Sequence, residues 1–215
     1  MANLVMATWN VRTLLTPQKH SSVTDILFRN RVDIAFLQET HLESKDVQRA
    51  ASRRYAVVAA SSASSHRSDV MILIHRSFKV KILGSGGDDG GRYCYVLFEL
   101  AGRKLACFSL YTPTPYTNSF FQTITSKILS FSDHELVIGM DANAFLDLVL
   151  DKSPPLVGRR APPSSYEHFA PLKFLKCYAS FAVPFPHFER CPVDSNVLSL
   201  ECPQASHKVL LSYSF

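Results

Sequence analysis

A chain of 215 residues that is 47% hydrophobic can bury a large core, and single α/β or all-β domains commonly reach this size. Its 23 Lys and Arg against 18 Asp and Glu give a net charge of +5, a mild bias toward polyanions. Five cysteines without any CxxC spacing exclude a disulfide framework or a zinc site as the organising device and fit a reducing, intracellular setting, nucleus or cytoplasm. No window approaches the roughly 20 apolar residues of a membrane span, so a soluble protein without a membrane partner is expected.

Leu4 to Trp9 is a short apolar segment that ends in Asn10-Val11-Arg12, and it reads as a strand stopping at a polar cluster. Thr16-Pro17 then offers a helix start, and Val23, Ile26, Leu27 and Val32 follow at mostly helical spacing. Asp33 to Leu42, D-I-A-F-L-Q-E-T-H-L, runs apolar side chains together and breaks abruptly into polar ones, which suits a strand buried on both faces with Glu39 at its end. A carboxylate held at such a mouth still meets water and suits a hard divalent cation.

After a charged segment from Glu43 to Arg54, Tyr55 to Ala60 and Val70 to Ile74 form a hairpin across the serine-rich run Ser61 to Ser68. Lys79 to Leu83, Tyr93 to Leu100 and Lys104 to Tyr111 read as successive antiparallel strands, with Gly84 to Gly91 as the first connecting loop and Ala101-Gly102 as the second. The glycine-rich loop lacks a Gly-Lys-Ser/Thr ending, and Asp88 and Asp89 would repel phosphate, so it reads as a plain hairpin loop. Thr117 or Asn118 can cap a helix carrying Phe121, Ile124, Ile128, Leu129 and Ser132. Leu136 to Met140 is a strand that stops at Asp141-Ala142-Asn143, and a helix is expected over Ser165 to Tyr178. Beyond Phe181 the pattern loses definition among scattered prolines, and no clear closing strand is visible.

Strands alternating with two crossover helices, with antiparallel hairpins between them, suggest two packed sheets with helices outside. In that architecture Asn10, Glu39, Tyr111, Asp141 and Asn143 can converge on one rim. An acid and an amide there can hold a cation, and a phenol, an acid and an amide can grip a tetrahedral anion, the mixture that phosphodiester hydrolysis needs.

These residues resemble the ordered motifs of the endonuclease/exonuclease/phosphatase superfamily: W-N-V-R at Trp9 to Arg12, D-I-A-F-L-Q-E-T-H-L, L-Y-T-P at Leu110 to Pro113, and G-M-D-A-N-A at Gly139 to Ala144. Gln-Glu-Thr-His-Leu and the later D-K-S-P-P are most similar to the endonuclease domains of non-LTR (LINE-type) retrotransposons. The resemblance covers roughly residues 4 to 180. It implies a four-layer α/β/β/α sandwich of two mixed sheets, with residues 1–180 as the domain and 181–215 as a divergent, poorly ordered or aberrant C-terminal segment of it. It further implies a Mg²⁺ or Mn²⁺ ion held by Glu39 with help from Asn10. Tyr111 and Asn143 would contact the scissile phosphate, and Asp141 would orient or deprotonate the attacking water. Retrotransposon members of the family nick one strand of target DNA, so the implied partner is DNA, touched by Arg12, Arg159 and Arg160, with no obligate protein partner.

The family also carries two further acidic positions and a terminal Ser-Asp-His, and none of these is found in this reading of the sequence. Ser206-His207-Lys208 lacks the Asp, and Leu211-Ser212-Tyr213-Ser214 stands where S-R-I-D is expected. The expectation is therefore a fragment without its final strand and with weakened or lost activity. A phosphodiesterase acting on a lipid or inositol phosphate and a non-catalytic remnant that binds DNA weakly are the alternatives. His41 reads as a turn residue near Glu39, His75 and His134 as solvated loop-border residues, and Trp9 as a core residue.

Overall fold

The computed structural model describes residues 4–63, 69–113 and 117–141 together with the backbone of strands at 196–201 and 208–213. Asn143, Arg159, Arg160 and the helix expected over 165–178 lie outside the described residues.

The first sheet is built from β1 (Met6–Asn10), β2 (Ile34–Gln38), β3 (Tyr55–Ser61) and β4 (Val70–His75), in the order β1-β2-β4-β3. β1 and β2 run parallel, joined by α1 (Pro17–Arg29), and β4 lies antiparallel to both β2 and β3. All five residues of β2 are buried, as its unbroken apolar run requires of a central strand. The start of α1 follows from chemistry local to it. Thr16 accepts a hydrogen bond from the Lys19 amide at 3.2 Å, and Pro17 occupies the first helical turn, where its missing N–H costs nothing. The charged segment after β2 is not wholly irregular, since Val47–Ala50 makes a single 3-10 turn that buries Val47 and Ala50.

The second sheet contains β5 (Lys81–Gly87), β6 (Tyr93–Leu100), β7 (Arg103–Tyr111), β8 (Glu135–Asp141), β9 (Asn196–Glu201) and β10 (Lys208–Tyr213), in the order β5-β6-β7-β8-β10-β9. The strand expected to end at Leu83 runs on through Gly87, and the connecting loop shrinks accordingly. The glycines explain this. A Cβ on Gly86 would lie 2.6 Å from the Tyr95 hydroxyl, so the bare backbone lets β5 pass beneath the tyrosine of β6. The remaining loop is organised by Asp88, whose Oδ1 accepts the amides of Arg92 and Tyr93, each at 2.9 Å, and the Ser61 hydroxyl at 2.7 Å.

The expectation of no closing strand is corrected for this sheet. β10 pairs in parallel with β8, and β9 pairs antiparallel with β10. The apolar stretch Val209-Leu210-Leu211 is short and follows Pro203 closely, so its strand character comes from pairing beside β8 rather than from any periodicity. In the first sheet, β1 has only β2 as a neighbour among the described strands.

Three separate apolar clusters mark three interlayer spaces. Val23 and Leu27 of α1 pack on Ala35, Leu37, Met71 and Leu73 of the first sheet. Ile34, Phe36, Ile72 and Ile74 meet Val96, Phe98, Cys107 and Val137 between the sheets. Phe121 and Ile124 of α2 (Asn118–Leu129) pack on Phe108, Leu110 and Ile138. Helix, sheet, sheet, helix is the four-layer α/β/β/α sandwich. Trp9 is half-buried against the first of these clusters.

Candidate active site

β1 and β2 are parallel, and so are β7 and β8, so four strands deliver their carboxyl ends to the same edge of the sandwich. Asn10 closes β1, Glu39 follows β2, Tyr111 closes β7 and Asp141 closes β8. Two hydrogen bonds tie these ends together across the gap between the sheets. The Asn10 Nδ2 donates to Asp141 Oδ2 at 2.6 Å, over 131 residues of chain, and the Tyr111 hydroxyl donates to Glu39 Oε1 at 2.8 Å, over 72. Register partners Tyr111 and Asp141 lie side by side within the second sheet, which closes the constellation. Four of the five rim residues expected from the sequence thus meet, and the fifth, Asn143, lies outside the described residues.

Local backbone chemistry fixes each group. Asn10 Oδ1 accepts the Arg12 amide at 3.0 Å, an Asx-type turn that ends β1 and leaves the Nδ2 side of the amide to Asp141. Arg12 has φ of 49° and an exposed side chain beside the rim. Glu39 has φ of 54°, so the residue after the buried strand is turned by a left-handed backbone, a conformation that side chains other than glycine rarely adopt. That turn is held by the Thr13 amide on Glu39 O at 2.7 Å and by the Leu14 amide on Thr40 O at 2.8 Å. Asp141 is 1% exposed and Asn10 8%, whereas Glu39 and Tyr111 are half-buried. The Thr112 amide caps Asp141 O at 3.1 Å.

Directly beneath the rim lies a polar layer that the sequence did not announce. Gln38 is fully buried, and its Nε2 reaches Thr8 Oγ1 at 3.1 Å in β1 and Ser109 Oγ at 3.2 Å in β7. Ser109 Oγ in turn donates to Leu37 O at 3.2 Å. One amide therefore bridges both sheets one residue before Glu39. Arg92 is a second residue the sequence left unremarked, its guanidinium 5.5 Å from the centre of the Tyr111 ring. Only its position after a glycine pair could have drawn attention to it.

The histidines differ from expectation. His75 packs edge-on to Tyr55 with ring centres 5.1 Å apart but stays partly exposed, whereas His134 has a side chain only 9% exposed and is not solvated. A Ser-Asp-His tripeptide does occur, at Ser132 to His134, but it precedes β8. The length of β8, about 20 Å, separates it from the rim at Asp141. Its Asp133 pairs with Lys104 at 2.8 Å and with His134 at 2.7 Å, and the hydrogen bond from Lys104, then that from His134, lowers the Asp133 pKa to about 2. It is a surface ion-pair cluster at the other pole.

The rim's donor set is all oxygen from Glu39 and Asp141 carboxylates with an amide at Asn10, and no cluster of three His, Cys, Asp or Glu occurs among the described residues. That chemistry fits Mg²⁺, or equally Mn²⁺, since Mg²⁺ is bound through one or two carboxylates and keeps several waters. It does not fit a soft or imidazole-seeking metal.

Residues 7–185 match the model of the Endonuclease/Exonuclease/phosphatase family. A sequence search of curated proteins finds no match. Among solved structures, the endonuclease domain of TRAS1, a telomere-specific non-LTR retrotransposon, is 15% identical with a TM-score of 0.51, covering 78% of this chain and 68% of that one. The catalytic domain of Xenopus laevis APE2 is 13% identical with a TM-score of 0.55, covering 80% and 66%. A mannosyl-6-phosphatase of Bacteroides thetaiotaomicron is 14% identical with a TM-score of 0.51, covering 65% of each chain. At these identities the likeness is one of fold, and the chain spans about two thirds of each of these relatives.

Proposed function

Given that the chain belongs to the endonuclease/exonuclease/phosphatase family, we propose that it is a retrotransposon-derived, divalent-metal-dependent DNA endonuclease domain that hydrolyses one phosphodiester bond to nick DNA. The observation that carries this reading is the pair of inter-sheet hydrogen bonds, Asn10 to Asp141 and Tyr111 to Glu39, which gather acids, an amide and a phenol from four strands onto one edge.

Glu39 would be the direct ligand of a Mg²⁺ or Mn²⁺ ion, which when bound would neutralise charge growing on the phosphate. Asn10 holds the Asp141 carboxylate in a fixed orientation and would help Glu39 hold the ion. Asp141 orients the attacking water and takes its proton, at a position from which bulk solvent is largely excluded. Tyr111 turns its hydroxyl from Glu39 toward a non-bridging phosphate oxygen, with Asn143 as the second donor to the phosphate. Arg12, Arg159 and Arg160 meet the DNA backbone, which adds affinity without sequence preference.

Activity of the chain as it stands is weak. The terminal Ser-Asp-His of the resemblance is not supplied, and loss of one group acting on the transition state costs on the order of 10² to 10⁴ in rate. The test is Mg²⁺-dependent nicking of supercoiled plasmid by this chain and by Glu39→Ala, beside a version extended by a Ser-Asp-His strand. Slow nicking that disappears in Glu39→Ala and rises in the extended version is expected. Equal inertness of the first two proteins removes catalysis by this chain, and cleavage of an inositol or lipid phosphate with none of DNA removes the DNA assignment.

A further inference from the structure

At the pole opposite the rim, a half-open pocket of about 300 Å³ is lined by Phe28, Arg29, Arg31, Val32, Tyr55 and His75. Val32 precedes β2 and Glu39 follows it, so about 20 Å of strand separates the two places. The pocket wall is aromatic. Phe28 is 42% exposed, its ring 6.0 Å from that of His75, and His75 in turn stands edge-on to the buried Tyr55. Tyr55, behind this wall, is held by donating its hydroxyl to Val32 O at 2.8 Å.

Its charge is one-sided. Arg29 and Arg31 are exposed and have no carboxylate partner among the described residues. Of the nearby acids, Asp25 pairs with Arg54 at 2.8 Å, while Asp33 accepts the Val5 amide at 2.9 Å and keeps its negative charge on the Tyr55 side, leaving the two arginines as the excess. Arg54 also lies 3.8 Å over the Phe28 ring, and Arg76 is turned to Ser52 O at 2.9 Å. Arg31 sits just past the end of α1 with φ of 55°, its amide on Phe28 O at 2.9 Å, at the helix-terminating position where glycine is the unstrained choice. An arginine placed there against that preference is directed into the pocket lining.

We propose that this pocket is a second nucleic-acid site, distinct from the rim, which takes an unpaired base of a single strand against Phe28 and His75, with the buried Tyr55 behind them, and the adjoining phosphates on Arg29 and Arg31. A pocket at the small end of the ligand range admits one base rather than a duplex edge. Aromatic surface beside guanidinium groups is the chemistry of single-strand recognition, because only unstacked bases expose a face to it. The site is independent of the nuclease reading, since none of its residues belongs to the rim.

The test is fluorescence anisotropy of a labelled 12-nucleotide oligothymidylate in EDTA. Arg29→Glu with Arg31→Glu weakens binding at least tenfold, and Phe28→Ala weakens it about tenfold, the loss of one stacked base. A matched reversal at Lys45 and Lys81, whose side chains are 73% and 75% exposed, changes affinity by less than threefold. Removing both arginines as Arg29→Ala with Arg31→Ala lowers the salt slope by about 1.4, some 0.7 per phosphate contact. Equal weakening by the two double reversals makes the effect one of net charge and overturns the proposal. So does an unaffected Phe28→Ala, an unaffected Phe28→Leu where the alanine variant melts early, or tighter binding of a 12-base-pair duplex than of the single strand.

Discussion

At Gly139 the two sheets press closely on one another, and replacing it with alanine tests the architecture that assembles the rim. A Cβ built on Gly139 lies 2.4 Å from both Cβ and Cγ of Phe36, far inside van der Waals contact, and Phe36 is itself fully buried. Neither atom belongs to the far end of a flexible side chain, so relief requires moving β2 and β8 apart. Overpacking of this kind costs typically about 1–3 kcal/mol, and the rigidity of both partners puts Gly139→Ala at the upper end. For a chain of this length the loss corresponds to roughly 4–10 °C in melting temperature. Urea unfolding followed by circular dichroism measures it, and Phe36→Leu placed in the alanine background recovers part of the loss, giving a coupling of about 0.5 kcal/mol or more. Because Glu39 and Asp141 continue the same two strands, nicking falls further than stability does. A change below about 0.5 kcal/mol, or strict additivity with Phe36→Leu, refutes the claim that this contact sets the sheet spacing.

Gln38→Leu removes the amide that bridges Thr8 and Ser109, leaving the Thr8 hydroxyl buried without that partner. It should lower stability by about 1–3 kcal/mol in chemical denaturation, part of which returns when Thr8→Val and Ser109→Ala are added, and a neutral single variant refutes the bridge. Burial first, and then the charge of Asp33, raises the Tyr55 pKa from 10.0 to about 12. Its contribution is full below pH 10 and disappears as pH rises through 12, so the stability gap between the parent and Tyr55→Phe narrows over that window, and a parent-minus-Tyr55→Phe difference in tyrosinate absorbance with its step at 10 contradicts the assignment. At Glu39 the positive φ favours glycine, so Glu39→Gly should be more stable than Glu39→Ala by about 1 kcal/mol although both lack the carboxylate. Alanine equal to glycine in thermal melts removes the strain argument.

Much of the first half was legible because its signals are local. The apolar run of Ile34 to Leu37 has one reading in a packed sheet, and Thr16-Pro17 starts a helix because helically spaced apolar residues follow it. The glycines of β5 were misread as loop because their reason lies on another strand, in the Tyr95 ring that a side chain would strike. The strands 196–201 and 208–213 were missed for a related cause: pairing beside β8 supplies what short, proline-flanked segments do not carry themselves. His75 and His134 border loops in sequence, but their packing against Tyr55 and Phe131 is something no local pattern names.

The rim itself was legible for a deeper reason, which is the period of the strand. Side chains two apart share a face. Thr8 and Ser109 join the buried polar layer between the sheets, and two residues further on stand Asn10 and Tyr111. Gly139 presses on Phe36 in the same space, and two residues further on stands Asp141. The contacts that fix the spacing of the sheets are therefore also the contacts that aim three of the four rim residues. Glu39 breaks this rule, since it follows Gln38 by one position and strict alternation would turn it away. Its left-handed backbone undoes the alternation and returns the carboxylate to Tyr111. A polar residue at a strand end can be seen in a sequence, but the backbone turn that makes Glu39 face the others is a property of the assembled fold. For that reason the glycine and alanine variants at this one position distinguish a carboxylate placed by strain from one that merely ends a strand.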